Sequence, residues 1–344
     1  MKKNIKYLDL SGYMFSGKSA FSDLMREFDG YLVPDYRTEF DLVRVSGGLL
    51  DLRGCIVDNW SPIRADASVK KFKKTINVLS RTPKGFRKLY QSGFGYEKIY
   101  PNIDLATSKF ISELICDSWR MKWPYALVDL DGFAIFKTKL KAKLEKKFAW
   151  PEVEFNLISG HEFDKKAQAY IKELLCYKLP SNVDTVVTHN ALEPYNPELG
   201  IDLFGVAKSI VIDRDVRDIY MTSITLNPGY NDDVDTFKKI SGSFNIDSFI
   251  KRQKLLRQIK PNKRETRVLR INFEDLVYKY DDTISEIINF LEIDQSKHVL
   301  KGMYFNPEAS KKNTKLWLNC DKKVRAEISK IERELSDYCY FNKV

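Results

Sequence analysis

Residues 12–19 read G-Y-M-F-S-G-K-S, and the run I-K-Y-L-D-L of residues 5–10 stands directly before them. This order predicts a strand, a complete G-x-x-x-x-G-K-S phosphate loop, and a helix over Ala20–Phe28. Gly12 and Gly17 let the backbone turn its N–H groups inward around an anion. The helix N-terminus adds the positive end of its dipole, and Lys18 reaches the outermost negative group. The pattern specifies a holder of phosphate or sulfate and leaves the transferred group open.

Outward from this loop, strands and helices alternate. Tyr31–Arg37 reads as a second extended segment, followed by a glycine-containing stretch at Val45–Gly54. D-T-V-V-T at 184–188 is a strand that ends at His189, S-I-V-I-D at 209–213 is another, and R-V-L-R-I-N at 267–272 a third. Helices are expected over Val216–Leu226, Phe249–Ile259 and Thr283–Leu291; the last carries Ile284, Ile287, Ile288 and Leu291 on one face. Such alternation predicts an α/β fold: a P-loop-type, mostly parallel sheet with helices on both faces. Ligands of these sheets sit beyond the carboxyl ends of the strands, where the phosphate loop, His189 and Arg214 all fall.

From about residue 65 to 180 the pattern is mainly helical. Ser108–Trp119 and Ala167–Tyr177 space their apolar residues by three and four, and Tyr125–Asp129 is a short β-like run. The expectation is one domain over 1–344, with 55–180 as a large helical insertion. Within it, K-T-K-L-K-A-K-L-E-K-K at 137–147 reads as a basic amphipathic helix, suited to an anionic groove or to peripheral contact with a membrane surface.

Composition narrows the class. Lys and Arg number 57 against 47 Asp and Glu, a formal charge of +10. Such a balance suits an anionic partner, and a solvated lysine-rich surface accounts for most of it. No nucleic-acid partner is expected. No run of eighteen apolar residues is present, so no transmembrane segment is expected. The N-terminus leads straight into the first strand, so a cytoplasmic protein is expected. Five scattered cysteines, with no C-x-x-C pair, argue against a disulfide framework or a zinc site; Cys116 and Cys176 are expected to be inert core thiols.

Arg214–Ser223 reads R-D-V-R-D-I-Y-M-T-S. An arginine leaving a strand end, with hydroxyls two helical turns later, makes a clamp for a dianionic phosphate. An Arg–Asp helix start capped by Asp215 is the plainer alternative. Together with Gly12–Ser19 and R-I-N-F-E-D-L at 270–276, in this order, the segment resembles the sulfotransferase family. That family takes its sulfuryl group from 3′-phosphoadenosine 5′-phosphosulfate. The resemblance covers the two ends of the α/β core and leaves the helical block unassigned.

The resemblance implies a role for each matching residue. Gly12, Ser16, Gly17, Lys18, Ser19 and Ala20 would cradle the 5′-phosphosulfate, with Lys18 on the bridging oxygen. Arg214 would bind the 3′-phosphate with a hydroxyl partner at Thr222 or Ser223. The segment Phe305–Trp317 is similar to the family's late basic loop, which makes Lys311, Lys312 and Asn313 further 3′-phosphate contacts. No metal is required. The acceptor would present a hydroxyl, on a glycan or glycoconjugate if the carbohydrate-acting branch is the right one. Two groups compete as general base: Glu39, in R-T-E-F-D after the second strand and the one favoured, and His189. The competing reading is a P-loop kinase or other NTPase using ATP and Mg²⁺, with Y-A-L-V-D-L-D at 125–131 as its acidic strand. A non-catalytic nucleotide-binding module is a third.

Overall fold

The computed structural model describes residues 5–35, 38–146, 148–226, 234–259 and 266–342. Tyr36, Arg37 and Lys147, at the ends of two segments read above, lie outside the described residues. The chain divides into two compact units, one of Met1–Arg44 with Lys178–Val344 and one of Val45–Tyr177.

Among the described residues seven strands form: β1 (Lys6–Gly12), β2 (Tyr31–Leu32), β3 (Ile115–Lys122), β4 (Glu152–Ile158), β5 (Thr185–His189), β6 (Ala207–Asp213) and β7 (Val268–Asn272). In the first unit they make a parallel sheet of order β2-β5-β1-β6-β7. This is the α/β architecture expected from the alternation of strands and helices. Tyr7 to Ser11 of β1 are buried, as a strand covered on both faces requires. Leu8, Leu10, Ile210, Ile212 and Ile271 pack with the helices Lys18–Met25 and Tyr280–Leu291 in one core cluster. Val216, Ile219, Phe249, Ile250, Ile328 and Ile331 build a second from three further helices. From β1 the chain passes to β2 on the β5 side, and from β5 it later crosses β1 to β6 on the other side, so the end of β1 lies at a topological switch point.

The second unit is mainly helical but also holds an antiparallel pair, β3 with β4. Here the expected helix over Ser108–Trp119 is corrected: the helix is Ile103–Leu114, and β3 starts at Ile115. The i, i+4 spacing of Ile111, Ile115 and Trp119 fits a helix, but Trp119 faces Phe155 across the strand pair, with ring centroids 5.1 Å apart. Cys116 follows this change. It is exposed on β3, beside a register shift, rather than a core thiol. The β-like run at Tyr125–Asp129 folds as a 3₁₀ helix, Pro124–Asp129, because Pro124 sets its first turn. The acidic strand that the kinase reading needs is therefore not a strand. β2 is also shorter than expected, with Pro34 two residues beyond its end.

Candidate active site at the strand ends of the parallel sheet

Four neighbouring strands deliver the site. β1 ends at Gly12, β5 at His189 followed by Asn190, β6 at Asp213 followed by Arg214, and β7 at Asn272 followed by Phe273. Gly17 has φ +86°, and a Cβ there would stand 2.7 Å from the Phe273 ring, so conformation and packing both call for glycine. A Cβ on Gly12 would collide with Ser16 Oγ. Ser16 is itself buried, and its Oγ has no hydrogen-bond partner among the described residues.

The loop separates two clefts, each of about 740 Å³. Phe15, Gly17 and Ser19 line both. The first cleft adds Ala20, Arg214, Thr222, Phe273, Lys312 and Asn313. Arg214 is 6 % exposed. It donates to Phe15 O at 2.9 Å, to Thr222 Oγ1 at 3.1 Å and to Asn313 O at 2.5 Å, while its buried Nε has no partner among the described residues. Its guanidinium carbon lies 5.6 Å from the Phe273 ring centroid. Thr222 thus joins Arg214 at the cleft. Ser223, the other candidate, is buried and donates to Tyr220 O of its own helix at 2.6 Å, away from Arg214. A one-residue step along a helix turns a side chain by about 100°. Lys311 is likewise turned aside and pairs with Glu308, whereas Lys312 and Asn313 line the cleft.

The second cleft holds Lys18, Glu39, Arg44, Asn190, Glu193 and Arg252 beside Tyr13, Tyr195, Phe237 and Ile240. Lys18 Nζ donates to Glu39 Oε1 at 3.0 Å, and Arg44 to Glu39 Oε2 at 2.8 Å. Asn190 ties the pair to the loop, with its Nδ2 donating to Glu39 and its Oδ1 accepting from the Gly12 N–H at 3.2 Å. Burial works to raise the Glu39 carboxyl, but Lys18 and Arg44 outweigh it and hold it below the ordinary range. Burial lowers the Lys18 ammonium in spite of Glu39.

His189 is completely buried, with Nε2 2.8 Å from Ser22 Oγ on the helix behind the loop. Burial, then the Lys18 charge, push its pKa down to about 4. It lines neither cleft. Of the two base candidates, the structure therefore brings only Glu39 to the loop's open side.

The Arg–Asp helix start capped by Asp215, the plainer alternative above, is present, but where the other charges of R-D-V-R-D reach had no signal in the sequence. Asp215 caps its helix and binds Arg217 at 2.7 Å, both fully buried. Arg217 lies 3.9 Å from the Trp317 ring and pairs with Glu332. Asp218 accepts from the N–H groups of Lys315 and Leu316 at 2.8 and 2.7 Å. Arg214 already holds Asn313 O. Arg214, Arg217 and Asp218 thus grip residues 313–317, about a hundred positions away, a stretch that walls the first cleft, and Asp215 accepts the Phe341 N–H at 3.4 Å. Glu274 of F-E-D-L completes the support by accepting the Asp215 N–H at 2.9 Å.

No family model and no curated protein matches this chain. Among solved structures, the sulfotransferase domain from the curacin biosynthetic pathway is similar at 14% identity and TM-score 0.40, covering 97% of this chain and 99% of that one. The sulfotransferase domain from the Synechococcus PCC 7002 olefin synthase is 13% identical at TM-score 0.38, covering 93% and 84%. Retinol dehydratase in complex with androsterone and the inactive cofactor PAP is 11% identical at TM-score 0.36, covering 97% and 80%. Likenesses this distant leave the functional reading to the residues of the two clefts.

Proposed function

We propose that the protein is a sulfotransferase that moves a sulfuryl group from 3′-phosphoadenosine 5′-phosphosulfate to an acceptor hydroxyl. The observation that carries this is the first cleft, whose lining joins Phe15, Gly17 and Ser19 of the phosphate loop to Arg214, Thr222 and Lys312. Two sets of anion-binding groups on one cleft suit a nucleotide with phosphate at both its 3′ and 5′ positions. In that cleft Arg214 Nε, without a partner among the described residues, offers a further donor and Lys312 adds charge, and Ser16 of the loop lines the second cleft.

The donor supplies an activated sulfuryl group on a phosphate oxygen. Lys18 and the loop N–H groups stabilise the negative charge that gathers on that oxygen as the S–O bond breaks. Glu39, at the second cleft, takes the proton of the acceptor hydroxyl as the new S–O bond forms. The two residues are coupled by their ion pair. When Lys18 turns to the leaving oxygen, Glu39 loses a counter-charge and becomes the stronger base. The second cleft places Tyr13 and Tyr195 beside charged and amide groups, a mixture that suits ring stacking and hydroxyl pairing. We extend the proposal to a carbohydrate acceptor on that ground.

Calorimetric titration with 3′-phosphoadenosine 5′-phosphate and, separately, with ATP and Mg²⁺ tests the reading. The bisphosphate is expected to bind at least about tenfold tighter. Preference for Mg²⁺-ATP would overturn it in favour of a kinase.

A further inference from the structure

The basic helix of the second unit has no part in the chemistry above. It runs from Gly132 to Glu145, with Asp131 as N-cap and Lys146 in the left-handed region at its C-terminus. It is apolar on two opposite faces. Ala142 is buried, and Ala134, Ile135 and Thr138 beside it are half-buried, so this face is the one packed against protein. On the other side Phe133, Phe136, Leu140 and Leu144 are exposed, Phe133 by 67% and Leu144 by 76%. At 100° per residue these four form a stripe about 80° wide. Lys137 and Lys141 flank it on one side, Lys139, Lys143 and Lys146 on the other. Glu145 is the only acidic residue from 132 to 146.

Just past the helix, Phe148 and Trp150 stack at 4.8 Å while remaining exposed. A second stretch of the same unit repeats the composition: Phe86, Leu89 and Tyr90 are exposed beside Arg87 and Lys88. An exposed apolar stripe with ammonium groups along both edges matches the boundary between acyl chains and anionic headgroups. The apolar residues enter that boundary while the lysines extend sideways to the phosphates. A solvated lysine helix would need no exposed phenylalanines, and a docked protein would need acidic residues along both edges of the stripe.

We propose that Gly132–Glu145 is an interfacial helix that docks the second unit on an anionic lipid surface, lying in the plane of the headgroups. Among the described residues no helix is long and apolar enough to cross a membrane, so the contact is peripheral.

Co-sedimentation of the full chain with vesicles tests this. Vesicles of phosphatidylcholine with about one-third phosphatidylserine are expected to bind it, and phosphatidylcholine alone at least about tenfold less. Binding should weaken steeply with added salt. Two variants separate the contributions: Phe136→Ser with Leu140→Ser and Leu144→Ser removes the stripe, and Lys137→Glu with Lys141→Glu and Lys143→Glu reverses the edges. Each should lose at least about tenfold in vesicle binding. All six side chains are exposed, so the circular-dichroism melting curve should stay near that of the parent. Absence of binding to anionic vesicles, or binding that both variants retain, would overturn the proposal. So would sedimentation showing that the stripe variant turns a dimer into a monomer while vesicles are ignored, since the stripe would then be a protein interface.

Discussion

Two short stretches of this chain are rich in positive charge and have opposite fates. In Arg214–Asp218 both arginines are buried, Arg217 beneath Trp317 with two carboxylates and Arg214 against three oxygen acceptors. In Lys137–Lys146 every lysine is exposed, and Lys141 stands 3.9 Å from Glu145. The first stretch uses charge to hold distant backbone in place and to leave one cation facing a cleft. The second presents charge outward. The net charge of +10 therefore has no single meaning, because burial decides whether a cation organises the protein or meets a partner.

The largest effect that could break this contrast is on stability. Arg217→Met leaves the Asp215 carboxylate buried without its partner and should cost about 3–5 kcal/mol in urea unfolding. Lys141→Met on the exposed helix should stay within about 0.5 kcal/mol. Similar losses for the two would mean that the buried pair contributes no more than a surface charge.

Next come the cations and carboxylates of the clefts. Lys18→Ala should lower turnover by on the order of a hundred- to a thousand-fold, read as release of 3′-phosphoadenosine 5′-phosphate with a panel of sugar acceptors, while the melting curve is kept. Glu39→Gln should cost about a hundred-fold in kcat at saturating donor. His189→Asn should change kcat only a few-fold, as expected for a residue behind the loop. A larger loss for His189 than for Glu39 would exchange their roles.

A smaller effect concerns the 3′ end of the donor. Thr222→Val should weaken bisphosphate binding by about tenfold, as one hydrogen bond to a charged group is lost. Ser223→Ala should leave it unchanged within about twofold, since Ser223 is buried and does not line the cleft, whereas Thr222 does and accepts from Arg214.

The smallest effect is a pH slope. Burial, reinforced by Asp215 and Asp218, raises Glu274 from an ordinary 4.5 to about 8. Because the folded value is raised, the stability linked to its proton is fully present below about 4.5 and lost as pH rises through 8. Glu274→Gln keeps an acceptor for the Asp215 N–H and should flatten that part of the stability curve. An unchanged slope from pH 4.5 to 8 would locate the titration elsewhere.

Much of the first unit was legible because its signals are local. β1, β5, β6 and β7 announce themselves as apolar runs, and the phosphate loop is a contiguous motif whose two glycines have steric reasons. Less legible was anything that depends on what a residue faces. Ile115 and Trp119 fit a helix until β4 supplies a cross-strand partner. Thr222 and Ser223 are adjacent hydroxyls that only the helix orientation separates. His189 stays a rival to the favoured Glu39 until one is buried behind the loop and the other is paired with Lys18. The hold of Asp218 on Lys315 and Leu316 spans a separation that no spacing rule covers.

The sequence by itself determined that this chain builds a parallel α/β sheet around an anion-holding loop, because strand, glycine turn and helix are set by neighbours a few residues apart. It also put forward Arg214, just past a later strand, as a candidate for a second anion-binding group. Only the tertiary structure decided that the loop divides two clefts, that Arg214 and Thr222 share one of them, and that Lys18 and Glu39 share the other. The reason is physical: strand order and burial bring residues about two hundred positions apart to one sheet edge, and a side chain's charge acquires its function from what surrounds it there.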